Sequence, residues 1–207
     1  EIVNTVAHGL GTALTGCMPD YYPGFAGEYW SYGGKNLDKA KQLLVEAGYP
    51  DGFSTSLMYN SAEPYQEPMC ILYQSALKKI GVDLKLNKQP PASFFKLAGA
   101  REEPMHVFFD APWCPDPGYS MNLYFLSGSF INYSNYSNAK VDELAAKTAA
   151  TADNDARLEM MREAQKIIMD DAPWVFGLQM NYNFAHRDNL KGFVYYSSNN
   201  VRPQDMT

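Results

Sequence analysis

Between residues 54 and 109 the chain switches repeatedly between two hydrophobic periods. Ser54 to Tyr59 alternates with period two, and Asn60-Ser61 closes that run. From Pro64 to Ile80, Met69, Leu72, Tyr73, Ala76, Leu77 and Ile80 fall on one helical face, and Gly81 stops it. Val82 to Leu86 alternates again; Pro91 opens a short helix through Phe94, Phe95 and Leu97; Met105 to Phe109 is a short apolar run. Period two marks a pleated strand and period 3.6 a helix. Strand, helix, strand, helix, strand is satisfied by a sheet with helical crossovers, because each buried strand face needs a helix laid on it. The expected class is therefore α/β.

The last of these runs ends abruptly at Asp110, and the next seven residues hold Pro112, Pro115 and Pro117 together with Trp113 and Asp116. Each proline fixes φ and lacks an N–H, so the strand cannot continue. A rigid loop carrying Trp113, Asp116 and Tyr119 is thus expected at the carboxyl end of a buried strand. In open α/β sheets ligands bind there. The plainer reading is a strand-to-helix turn with a packed tryptophan.

Elsewhere the punctuation is uneven. Residues 9–35 are rich in Gly, Pro and Tyr and read as a long irregular segment. Asn36 can cap a helix whose stripe is Leu37, Ala40, Leu43, Leu44 and Ala47, with Gly48 past its end and Pro50-Asp51-Gly52 as a turn. The second half is mostly helical: Asn138 caps one helix, and Asp153 or Thr151 starts a longer one that Pro173 breaks. Trp174 to Met180 is a buried strand candidate, and Asn189 to Gly192 marks a last turn before Phe193 to Tyr196. Glu1 to Gly9 reads as the middle of a helix ending at Gly9, so the expectation is one lobe of a longer chain.

Composition excludes several classes. A net charge of −6, with no run of basic residues, argues against nucleic acid. No apolar stretch approaches the roughly 18 residues that span a bilayer. Cys17, Cys70 and Cys114 show no metal or redox spacing, and His8, His106 and His186 form no ligand pair; His106 is expected as a hydrogen-bonded core residue. Nothing beside Asp110 and Asp116 supplies a nucleophile, so no enzyme, metal or cofactor is expected. The 15 Tyr, 11 Phe and 3 Trp exceed what a core needs, and some are expected to line a surface that meets a ligand or another domain.

Several stretches, in order, resemble the carboxyl-terminal lobe of bacterial extracellular solute-binding proteins of family 5, the oligopeptide, dipeptide and nickel class. Asn36 to Phe53 is similar to that family's helix-and-turn signature, and Tyr59-Asn60-Ser61 to its strand end. Gly81 to Leu84, Pro115-Asp116-Pro117, Asn138 to Asp142 and Ala164 to Pro173 are similar to later family segments. The resemblance implies a single α/β lobe over residues 1–207 of a type II (cluster C) periplasmic-binding-protein-like fold, with a central mixed sheet flanked by helices. It also implies an amino-terminal lobe elsewhere, a periplasmic or extracellular site of action, an ABC permease as partner, and membrane contact only through that permease or a lipid anchor.

The chain departs from the family at one point. The family's loop places Asp-Tyr directly before Pro-Asp-Pro, and that Asp can hold a peptide's amine. Here those places are Trp113 and Cys114. The expectation is an aromatic platform for an oligosaccharide, an opine or another sugar-bearing solute, extended by Tyr119, Tyr21, Tyr22 and Trp30, with peptide as the alternative and Asp110 or Asp116 as the amine's partner. Tyr59, Asn60, Asp110, Trp113, Cys114, Asp116, Tyr119 and Gln179 are the expected contact residues. A receptor-coupled sensory module is the remote alternative.

Overall fold

The computed structural model describes residues 1–29, 36–110, 114, 116–196, 202, 204 and 206. At the centre of its main sheet is β2 (Ser54–Asn60), with β3 (Asp83–Gln89) and β4 (Met105–His106) parallel on either side. The crossovers are α3 (Gln66–Lys78) and α4 (Pro91–Ala100). Each returns the chain to the end where it began, which makes the pairing parallel. The period of two divides β2 between the helices. Leu57 and Tyr59 pack with Leu84, Val107 and Cys70 of α3, while Met58 packs with Phe94 and Ala98 of α4.

Gly52 and Gly81 lock the sheet's entrance. Gly52 has φ +77°, and a Cβ there would lie 2.0 Å from the Gly81 carbonyl oxygen. Gly52→Ala is expected to cost about 2 kcal/mol, from the left-handed φ and the clash together. A lowering of the melting temperature by roughly 4–8 °C in a thermal scan checks it.

β4 stops short of the expected Phe109. Val107 still donates to Met58 O at 2.9 Å, but beyond it the side chains part company. The ring of Phe108 meets Tyr124 and Tyr133, and that of Phe109 meets Tyr65.

The second body is helical: α5 (Pro117–Tyr124), α6 (Ala139–Ala150) and α7 (Asn154–Asp171). Asn138 Oδ1 accepts from Lys140 N at 2.9 Å and Asp153 Oδ1 from Ala156 N at 2.8 Å, as N-caps should. α7 ends at Ala172, in the left-handed region with φ 48°, one residue before Pro173. Met121, Phe125, Val141, Leu144, Met161, Ile168 and Phe176 form the shared core. Gln165 pins the glycine-rich segment to it. Its Oε1 accepts from Ala26 N at 3.2 Å, and its Nε2 donates to Gly24 O at 2.8 Å.

Some expectations need correcting. The irregular segment contains β1 (Gly11–Ala13), paired antiparallel with β5 (Leu178–Met180). The expected mixture of strand directions is therefore divided between a parallel sheet and a separate two-stranded ribbon. Only the last three residues of Trp174 to Met180 are strand, because Trp174 and Phe176 turn into the helical core. Phe193 to Tyr196 is coil, in which the Phe193 ring meets Phe184 and His186 and the Tyr195 ring meets Tyr182. Near the amino end, α1 (Ile2–Thr5) stops well before Gly9. α2 (Leu37–Glu46) is capped by Asn36, but its stripe is not buried: Leu37, Ala40 and Leu44 are half-buried and Leu43 is 47% exposed.

Candidate functional site

The carboxyl end of the parallel sheet opens onto a surface rich in aromatic rings. Phe109 meets Tyr65 at 5.6 Å between centroids, Tyr21 meets Tyr22 at 5.1 Å, and Tyr182 meets Tyr195 at 6.1 Å. Tyr21, Phe109, Tyr182 and Tyr195 are 59%, 39%, 45% and 46% exposed, which is too much wet aromatic surface for packing alone to explain.

These rings share one electrostatic neighbourhood. Burial raises the Tyr182 phenol, and Tyr195 and then Asp110 raise it further. Tyr65 is raised by burial, then by the Glu63 carboxylate to which it donates at 2.7 Å, then by Tyr182. Asp110 sits among them at the strand end, exposed, and accepts a short hydrogen bond from Tyr124 Oη. Burial and then Asp110 itself push the Tyr124 phenol far up, so it remains a donor. The Asp110 carboxylate is thus an acceptor held at the surface by a neutral phenol donor.

The other expected contact residues are placed differently. Tyr59 is 3% exposed, and its ring belongs to the sheet core. Its hydroxyl donates to Glu67 at 2.9 Å, and burial followed by that carboxylate pushes it up to about 12. Asn60 is buried; its N–H donates to Gln66 at 2.8 Å and its Oδ1 accepts from Ala62 N at 3.0 Å. Asp116 caps α5, accepting from Gly118 N at 2.8 Å and Tyr119 N at 3.2 Å, and its second oxygen meets Arg157 at 3.3 Å. The polar groups of all three have partners inside the chain. Tyr119 is half-buried in the first turn of α5. Gln179 lies in the β1–β5 ribbon opposite Thr12. Trp113 and Trp30 lie outside the described residues.

His106, expected as a hydrogen-bonded core residue, sits between the rings of Phe94 and Tyr133, and burial lowers its pKa. Among the described residues no three His, Cys, Asp or Glu side chains gather as a metal site would require. All three cysteines are free. Burial pushes Cys17 and Cys70 up to about 12, whereas Cys114 is exposed beside the Asp110 surface. A thiol reagent at pH 8 is therefore expected to modify one thiol in the native protein, Cys114, and three after unfolding. Rapid native modification of Cys17 or Cys70, read by peptide mass mapping, would contradict that burial.

Of the residues gathered on this surface, the sequence reading named Tyr21, Tyr22 and Asp110 for the site and did not name Tyr65, Phe109, Tyr182 and Tyr195 for it. They come from four separate segments, and the only signal was the excess of aromatic residues.

Residues 1–132 match the sequence family described as "Bacterial extracellular solute-binding proteins, family 5 Middle". The chain belongs to that family. Over 199 residues this family 5 chain is 32% identical to the probable D,D-dipeptide-binding periplasmic protein DdpA of Escherichia coli (strain K12), covering 94% of this chain and 38% of that protein. The solved structure of HbpA2 from Haemophilus parasuis superposes with a TM-score of 0.84 at 26% identity, over 100% of this chain and 42% of that one. AgaA of A. tumefaciens, solved with agropinic acid, gives a TM-score of 0.80 at 25% identity, over 97% and 44%. The family 5 chain thus spans about two fifths of the length of the relatives it matches. Its fold is the one their solved structures share.

Proposed function

We propose that this chain is one lobe of a two-lobed periplasmic protein that captures a solute for an ABC importer, and that the solute is a short peptide with a free α-amine. The observation that carries the peptide reading is Asp110: an exposed carboxylate at a sheet end, oriented by Tyr124 and ringed by exposed aromatic faces. A carboxylate there pairs an ammonium, and the ring faces add cation–π attraction and cover apolar side chains. Asp116 is the weaker candidate, because one of its oxygens caps α5 and the other already pairs a cation, Arg157. The dipeptide named for the Escherichia coli relative supports the same class.

Capture involves no bond making. The second lobe closes over the solute by hinge motion, water is expelled, and the closed form docks on the permease. Contact with the membrane runs through that permease or a lipid anchor, and nucleic acid has no part in it. A sugar or opine ligand keeps one support, the agropinic acid bound by AgaA. The platform argument for it rested on Trp113.

A fluorescence titration of the two-lobed protein with Met-Leu, D-alanyl-D-alanine, agropinic acid and maltotriose tests the assignment. Saturable responses to the dipeptides are expected. A response confined to agropinic acid or maltotriose overturns the peptide reading and returns the aromatic surface to a carbohydrate or opine role.

A further inference from the structure

Tyr22 is, among the described residues, the one whose buried side-chain polar atom has no hydrogen-bond partner. The residue is 3% exposed, and its ring is part of the helical core. Its hydroxyl approaches Ser120 without reaching hydrogen-bond geometry, and it lies within electrostatic reach of Cys114 and Asp110. A buried hydroxyl left unpaired costs stability, and phenylalanine would fill the same space without that cost. Such a cost is characteristic of a group whose partner arrives from outside the fold.

We propose that the Tyr22 hydroxyl is a specificity-determining group of the Asp110 site, accepting one N–H of the solute's primary ammonium while Asp110 accepts another. This rests on the reading that Asp110 holds the solute's amine. The class it selects is narrower than a cation. A primary ammonium has three N–H groups and can serve carboxylate and phenol together; a tertiary ammonium has one and cannot. Because the hydroxyl is covered in this structure, the side chains over it must part as the amine seats.

The test is Tyr22→Phe in the two-lobed protein, titrated calorimetrically with Met-Leu and with N,N-dimethyl-Met-Leu, alongside a thermal melt. Loss of one hydrogen bond to a charged group predicts about a tenfold weaker affinity for Met-Leu and less than a twofold change for the dimethyl peptide. The melting temperature is expected to stay level or rise, since the orphaned group is gone. Equal losses for both peptides, an unchanged affinity for Met-Leu, or a lowered melting temperature would each overturn the proposal. If the parent protein binds neither peptide, the peptide reading fails and this inference falls with it. Binding by the parent with no effect of the substitution removes this inference alone.

Discussion

On the proposed reading, Asp110→Asn is expected to lower the affinity for Met-Leu by roughly 30- to 150-fold, about 2–3 kcal/mol, with the melting temperature nearly constant. Asparagine keeps the side chain's shape and its Oδ1 still accepts from Tyr124, so the local geometry has no reason to collapse. What disappears is the charge that pairs the ammonium. Closure of the lobes, as proposed, would take that pair out of water, where it is worth more than an exposed surface pair. Asp116→Asn is the matched control. Asparagine is as good an N-cap as aspartate, and the bond to Arg157 lies at the helical body. Affinity should therefore hardly change. Calorimetric titration of both variants separates the two aspartates, and a larger loss at Asp116 than at Asp110 would reverse their assigned roles.

Phe125→Ala destabilises the fold by about 3–5 kcal/mol, lowering the melting temperature by roughly 6–20 °C. The side chain is 0% exposed and follows the last turn of α5. Its ring meets Trp174 at 4.8 Å, Tyr136 at 6.1 Å, Phe176 at 6.3 Å and Tyr124 at 6.4 Å. Four stiff rings drawn from three segments cannot close around a vacated centre, so the cavity term is large. The loss also loosens Tyr124, the donor that orients Asp110. Solute affinity should thus weaken alongside stability. Phe130, 79% exposed, is the contrast: Phe130→Ala is expected to shift stability by no more than about 0.5 kcal/mol. Thermal or denaturant melts of the pair check both figures.

Local signals wrote the helices and the central strand into the sequence. Asn36, Asn138 and Asp153 each carry a side-chain cap, and all three lie where the helices begin. The alternation of β2 assigns its two faces to two helices. A helix after the loop was offered only as the plainer reading, and the start of α5 was not assigned, because the prolines around Asp116 read as strand breakers. The same residues, Asp116 followed by Pro117, are an N-cap with proline at the first helical position. β1 and β5 were illegible for another reason: each is three residues long, and each exists only because the other lies opposite it from far along the chain. The site shares that difficulty. Asp110 was visible as the end of an apolar run, but Tyr65, Tyr182 and Tyr195 join it through tertiary packing, which no local period encodes. Tyr59 is the opposite case. It stands at a strand end, as a ligand contact would, yet its place in the pleat turns the ring inward onto α3.

The most direct measurement is a crystal structure of the two-lobed protein with Met-Leu bound. The peptide's amino nitrogen is expected within about 3 Å of an Asp110 carboxylate oxygen, with the peptide lying against Phe109, Tyr65 and Tyr182. An amine held by another carboxylate, with Asp110 facing solvent, would contradict the account.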